Sequence, residues 1–471
     1  LAQGSVYKSV FKNAAYIFFI KLFPAIALFA VTIVYSRALP REDYGDYQGV
    51  WVKLLLLGTL AYAGMPVTII TYAANVIKEL ARTVLKKYLW AYLGWLVVWM
   101  AVIAYLLKAE LSLAWVLSAG LLGMYVVHAV QEALLMAAKH MRGVMVTNLL
   151  YAIYFLAIHV TALEDYNLER LLYYLLAGMV VRAVVLGALV YLIYKKVEPM
   201  AVPEGQASKA KNLWLHLGFY DLLQNVFRFG DKFILSVLLT SGLYAVYYNG
   251  AQEIPFLPYL LGAVSSSVLV QLAGKRDGGE VAPYRLMYAS GKLLSCIVFP
   301  LFFFLFFYSE EIFVVVFTEK YLPSVPIFMM TLLVLPLRAY NYTTLLQHMH
   351  RGGLINKGAI MDLVLALALM YPMYQLMGLP GIALGFVVST YLQVAYYLHH
   401  TARLSGTRWT SLLPLKNWGL KLLVFGLGIY LLHSLTRGME NMTLAVVAGG
   451  VGTAVAGMVA LYLEVRGRRQ V

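Results

Sequence analysis

"REDYGDYQ", residues 41–48, has an echo two hundred residues later in "SGLYAVYY", residues 241–248, where Tyr244 stands for Tyr44 and Tyr247 for Tyr47. The same shift brings "LLLLG" (54–58) near "PYLLG" (258–262) and sets Glu110 opposite Glu310. Further along the offset drifts, so that "HMRG" (140–143) meets "MHRG" (349–352). Self-similarity at one long period is the mark of a duplicated structural unit.

The unit is a bundle of membrane helices. Of the 471 residues, 62% are hydrophobic and 13% charged, with a mean hydropathy of +0.76. A soluble domain is roughly half apolar and a quarter charged. The apolar runs do not alternate with period two, which excludes a β-barrel, and each is long enough to cross a hydrocarbon core of ~30 Å. The fold expected is an all-α polytopic membrane protein of about fourteen transmembrane helices. Its second span falls at 47–76, the seventh at 213–239, the eighth at 243–273 and the tenth at 327–349. Residues 1–194 make an N-lobe of six spans and 195–212 a charged, Pro/Gly/Ser-bearing cytoplasmic linker. Residues 213–400 make a pseudo-symmetric C-lobe of six, and 401–471 add two C-terminal helices. Six is an even number, so the halves enter from the same side as a parallel repeat, an arrangement that commonly holds a central site.

A net charge of +15 raises nucleic acid as a partner. The positions of the charges exclude it. With the N-terminus inside, inner loops and tails carry 24 Lys and Arg, and the outer loops only Arg37, Arg41, Lys108, Arg170, Lys320 and Arg437. That is the positive-inside asymmetry, and it puts both termini in the cytoplasm of a multi-pass inner-membrane protein. The loops are too short for a soluble catalytic domain. The lone Cys296 forms no intramolecular disulfide. No Gly-rich phosphate loop indicates ATP use. The pairs His348/His350 and His399/His400 lack ligand spacing with a third partner, so neither a metal nor an organic cofactor is expected.

The spans nevertheless contain charges. "DLLQNVFRFGDKFILSV" (221–237) places Asp221, Asn225, Arg228 and Lys232 within ~60° of one another on a helix, with Gln224 and Asp231 at the border. An ionised side chain at mid-membrane costs several kcal/mol unless it faces protein or water. The stripe is therefore expected to line a hydrated cavity, although mutual neutralisation of Arg228 and Asp231 is the plainer alternative. Lys21, Lys53, Arg182, Glu253, Lys292, Arg338 and Asp362 are the other charges within spans. Lys21 with Asp221, and Lys53 with Glu253, are repeat mates of opposite sign. Lys292 and Glu132 are expected to snorkel to the inner rim, and Arg182 to meet backbone carbonyls. Pro24, Pro66, Pro255, Pro258 and Pro336 mark bends.

"YSRALPREDYGDYQ" (35–48) and "FGDKFILSVLLTSGLYAVYYNGAQEIPFLPYLLGAVSSSVL" (229–269) resemble the paired signatures of O-antigen-type flippases. These move lipid-linked oligosaccharides and belong to the multidrug/oligosaccharidyl-lipid/polysaccharide exporter superfamily. The likeness spans roughly residues 8 to 400. It implies alternating access between two lobes, and transfer of an undecaprenyl- or other polyprenyl-pyrophosphate-linked glycan across the bilayer for polysaccharide or lipopolysaccharide assembly, with a polymerase or assembly protein as partner. Lys21, Lys53, Arg228, Lys232 and Arg338, with Asn225, would bind the pyrophosphate and sugar. Asp221, Asp231, Glu253 and Asp362 would couple to H+ or Na+. Three alternatives are a multidrug exporter of the same superfamily, a flippase for the peptidoglycan lipid precursor, and a membrane glycosyltransferase or polymerase using Glu42, Asp43 and Asp46.

Overall fold

The computed structural model describes residues 2–82, 86–108, 114–200, 206–252 and 283–467. Among these residues every regular element is helical, as a chain in lipid requires if its backbone polar groups are to be satisfied internally. Ten helices are long and apolar enough to span a membrane. Of the other four expected spans, three depart from that simple form and one, the eighth, is described only at its start.

The second expected span breaks into α2 (Arg41–Tyr62), α3 (Met65–Ile70) and α4 (Ala74–Leu80). Ala63 and Gly64 both adopt left-handed backbone, at φ 50° and 70°. Pro66 then sits in the first turn of α3, where its missing N–H is not needed. The bend is thus made two residues ahead of the proline. The seventh span is α9 (Gln206–Leu238), one continuous helix whose charges keep it off the apolar set. The eighth begins as α10 (Ser241–Gly250), and its remainder lies outside the described residues. The tenth is not one helix. It runs as α13 (Val325–Leu332), a 3-10 turn (Leu335–Ala339) holding Pro336, and α14 (Thr344–His348). Between them Tyr340 is extended, and Asn341 Oδ1 accepts from the Thr343 amide at 3.2 Å and hydroxyl at 2.9 Å. Such a side-chain turn competes with helix.

The chain divides into two compact units, residues 1–245 and 246–471. In the first, α1 (Ala2–Ala38) packs on α7 (Met141–Thr161), α6 (Ala114–Ala137) on α8 (Leu168–Lys196), and α2 on α9. Ile20, Leu135, Val144 and Leu186 form a buried cluster among them. α9 crosses α2–α3 at the break, backbone to backbone. A Cβ on Gly64 would stand 2.0 Å from Gly218 Cα, and Trp214 Nε1 donates to the Ala63 carbonyl at 2.7 Å. Small residues permit this approach. Gly64→Ala meets both the clash and the positive φ, so it is expected to cost about 1–3 kcal/mol. A lower unfolding temperature of the detergent-solubilised protein checks this.

In the second unit, α11 (Pro283–Phe307) carries the two C-terminal helices, α18 (Leu415–Thr436) and α19 (Met442–Gly467). α15 (Gly352–Met377) and α16 (Leu379–Ser405) pair as a hairpin through Gly378 at φ +66°. Charges fasten the C-terminal pair to α11. Lys421 Nζ donates to Glu464 Oε2 at 3.0 Å, Ser295 Oγ at 3.1 Å and the Lys292 carbonyl at 2.7 Å. Lys292 Nζ stands 3.6 Å from Glu464 Oε1. Lys292 therefore does not simply snorkel, and Lys421, counted with a loop in the sequence, lies inside α18. At the helices' other end His433 Nε2 meets Glu311 Oε1 at 2.8 Å, and Tyr308 meets the Thr436 hydroxyl at 2.7 Å.

Candidate functional site

Contacts along α2 and α9 set an antiparallel register. A Cβ added at Gly45 would overlap the Ser241 backbone, one at Gly49 would stand 3.9 Å from Ser236 Cβ, and one at Gly64 would overlap Gly218. By that register Lys53 is level with Asp231 and Lys232, and Tyr62 with Asp221. Lys53 is only 2% exposed, a lysine inside the helix packing. Asp231 is buried, and Lys232 Nζ lies 3.6 Å from its Oδ2. Half-buried Asn225 donates to the Asp221 carbonyl at 2.9 Å. Tyr62, stacked on Tyr125 with centroids 6.3 Å apart, is the side chain whose hydroxyl acts on Asp221. Arg228 is exposed, its guanidinium 5.2 Å from the Phe229 ring centroid. Along the stripe Asp221, Asn225 and Lys232 are half-buried and Arg228 is exposed.

The other candidates are carried by other elements. Lys21 is exposed on α1, the helix that packs on α7. Arg338 is exposed on the 3-10 turn of the second unit. Asp362 on α15 is fully buried, and neither carboxylate oxygen has a hydrogen bond among the described residues. Ser389 stands beside it, but its single hydroxyl proton goes to the Phe386 carbonyl at 2.9 Å. Glu253, with Pro255 and Pro258, lies outside the described residues.

Two networks were not legible beforehand. Arg182 Nη2 bonds the Glu132 carboxylate, and it reaches Asn148 Oδ1 at 2.5 Å. Its guanidinium carbon stands 4.8 Å from the Tyr151 ring centroid. Arg182 therefore pairs with Glu132 across α6, α7 and α8, and Glu132 does not snorkel alone. The signal was present: two charges of opposite sign, both inside spans. The second network is aromatic. Tyr47 Oη and His159 Nε2 are 2.8 Å apart, His159 Nδ1 faces the Phe155 carbonyl at 2.6 Å, and Tyr35 donates to the His159 carbonyl at 3.0 Å. Nδ1 must carry the proton, because a carbonyl can only accept; Nε2 then accepts from Tyr47. Tyr44, Tyr47, Tyr244 and Tyr247, the residues of the sequence echo, are all buried and belong to the core.

The acidic corner is also engaged in structure. Ser241 Oγ donates to Asp46 Oδ1, while Glu42 is exposed. Burial first, then the neighbouring Asp46 and Glu42 carboxylates, push the Asp43 carboxyl above the usual carboxylate range. No group of three or more His, Cys, Asp and Glu with metal-ligand geometry occurs among the described residues.

No protein-family model matches the chain, and no curated protein does. Solved structures do. The fold is similar to "Lipid II flippase MurJ, inward closed conformation", with a TM-score of 0.63 and 14% identity over 95% of this chain and 98% of that one. It is also similar to "MATE in complex with MaD5", with a TM-score of 0.54 and 16% identity over 84% and 96% of the two chains. A third is "MATE in the bent conformation", with a TM-score of 0.54 and 14% identity over 86% and 97%. At such identities the likeness shows the fold alone, that of a polytopic all-α membrane protein.

Proposed function

We propose that this chain moves a polyprenyl-pyrophosphate-linked oligosaccharide from the inner to the outer leaflet of the cytoplasmic membrane by alternating access, with both termini in the cytoplasm. A transporter fold supports the class of activity. The substrate class rests on one observation: Lys53, a cation nearly removed from solvent, lies level with Lys232 on a face that also presents Arg228. Cations held in low dielectric favour a phosphorylated headgroup and disfavour the organic cations of a multidrug exporter. Asp221, Asp231 and Asp362 are the carboxylates proposed to couple movement to H+ or Na+, with Glu253 alongside them. Each net charge carried across is worth about 2.3 kcal/mol per 100 mV. A peptidoglycan lipid precursor presents the same pyrophosphate, and the similarity to a lipid II flippase favours it as the second reading.

The test is reconstitution in proteoliposomes with headgroup-labelled polyprenyl-pyrophosphate oligosaccharide, the peptidoglycan lipid precursor, or an organic-cation dye. Protein-dependent loss of headgroup protection is expected for the oligosaccharide lipid. Export of the dye alone would overturn the assignment, and movement of the peptidoglycan precursor alone would shift it to the second reading.

A further inference from the structure

Between Glu319 and Glu440 the chain carries a single carboxylate, Asp362, and that residue is buried well inside α15. In the same stretch Arg351, Lys357, Arg403, Arg408 and Lys416 are all exposed, at helix ends on the side that the charge asymmetry assigns to the cytoplasm. A bias towards Lys and Arg is the general rule at such a rim. Absence of the opposite sign is not. Elsewhere on the same side the signs mix, as in Lys78 with Glu79 and Lys195–Lys196 with Glu198.

Packing gathers part of this charge in one place. Tyr397 of α16 donates to the Ile355 carbonyl of α15 at 2.8 Å, and its ring stands 2.3 Å from where a Cβ on Gly358 would be. Gln393 Nε2 reaches the Gly358 carbonyl at 3.3 Å. That crossing sets Lys357 beside the last turns of α16, which carry His399, His400 and Arg403. The charged groups that act on His400 are His399, Arg403 and Lys357, with no carboxylate among them. The Tyr396 ring packs on His400 with centroids 4.4 Å apart. Neither Lys357 nor Arg403 has an ion pair among the described residues. Trp409, 54% exposed just beyond α16, is the residue type that settles at headgroup level.

We propose that Lys357, Arg403 and the His399–His400 pair form a binding site for the phosphate headgroup of an anionic phospholipid of the cytoplasmic leaflet. A point-charge ammonium and a forked guanidinium from two helices suit a phosphodiester, and basic pockets between helices at this level bind such headgroups. None of these residues belongs to the set assigned to the transported substrate, so the identity of that substrate does not enter into the proposal.

The experiment uses full-length protein in detergent micelles titrated with phosphatidylglycerol, with phosphatidylcholine as the neutral control and retained lipid counted by native mass spectrometry. Phosphatidylglycerol is expected to be retained over phosphatidylcholine, and Lys357→Gln/Arg403→Gln to weaken that retention about tenfold. Lys195→Gln/Lys196→Gln, which removes the same charge from the end of α8, is expected to change it by less than about twofold. Equal losses in both double variants would reduce the effect to diffuse attraction and overturn the site. Full displacement by sodium pyrophosphate would assign the cluster to a soluble anion and overturn the lipid. The charge-conserving Lys357→Arg/Arg403→Lys protein must keep its lipid, which separates loss of charge from loss of fold.

Discussion

Arg228→Ala protein is expected to insert and melt like its parent, yet to translocate lipid-linked oligosaccharide about 10–100-fold more slowly in the proteoliposome assay. The magnitude is that of a charge-assisted hydrogen bond to phosphate, about 1.5–3 kcal/mol. Its clean separation from folding follows from exposure: the side chain lies at the surface of the first unit, over Phe229. Lys232 differs. By sequence the two positions look equivalent, and both substitutions are expected to spare the fold. The geometry parts them, because Lys232 is the cation 3.6 Å from the buried Asp231 carboxylate. Removing it takes a cation from beside a buried carboxylate, so Lys232→Ala is expected to lose stability as well as transport. Transport loss specific to Lys232 is therefore to be read from Asp231→Asn/Lys232→Gln, compared with Asp231→Asn. An Arg228→Ala protein that flips at the parental rate would remove the ground for a pyrophosphate site on α9.

The largest structural effect is expected at Glu132. Glu132→Ala leaves the Arg182 guanidinium among α6, α7 and α8 with Asn148 and the Tyr151 face but no anion. Breaking a buried pair from one side costs about 3–5 kcal/mol, whereas replacing both partners with apolar residues of similar size is often neutral. Glu132→Leu/Arg182→Met should thus recover most of the unfolding temperature that Glu132→Ala loses. A double-mutant cycle in detergent measures the coupling. If the single and double variants melt alike, the pair is no more than a partly solvated contact.

Much of this molecule is legible in its linear order. Backbone in lipid leaves few choices, so a long apolar run is read directly as a helix, and ten such runs appear as uninterrupted helices. The tyrosine echo at 41–48 and 241–248 holds because those side chains are core, where shape is tightly constrained. What the order of residues conceals is pairing. Lys292 and Lys421 look like rim cations until Glu464, far along the chain, is seen bonded between them. The stretch 327–349 looks like one span, because an Asx turn and a 3-10 turn depend on short-range geometry that hydropathy averages away.

By itself, then, the sequence determined that this is an all-helical membrane protein with charge inside its spans, since burying apolar surface and satisfying every amide permit little else. Only the tertiary structure decided which partners those charges meet. Helix periodicity gives the face on which a side chain stands, but the helix it meets is set by packing between segments far apart in the chain. That is why Arg182 and Lys421, rim or backbone-facing cations by sequence, prove to be paired with carboxylates far along the chain.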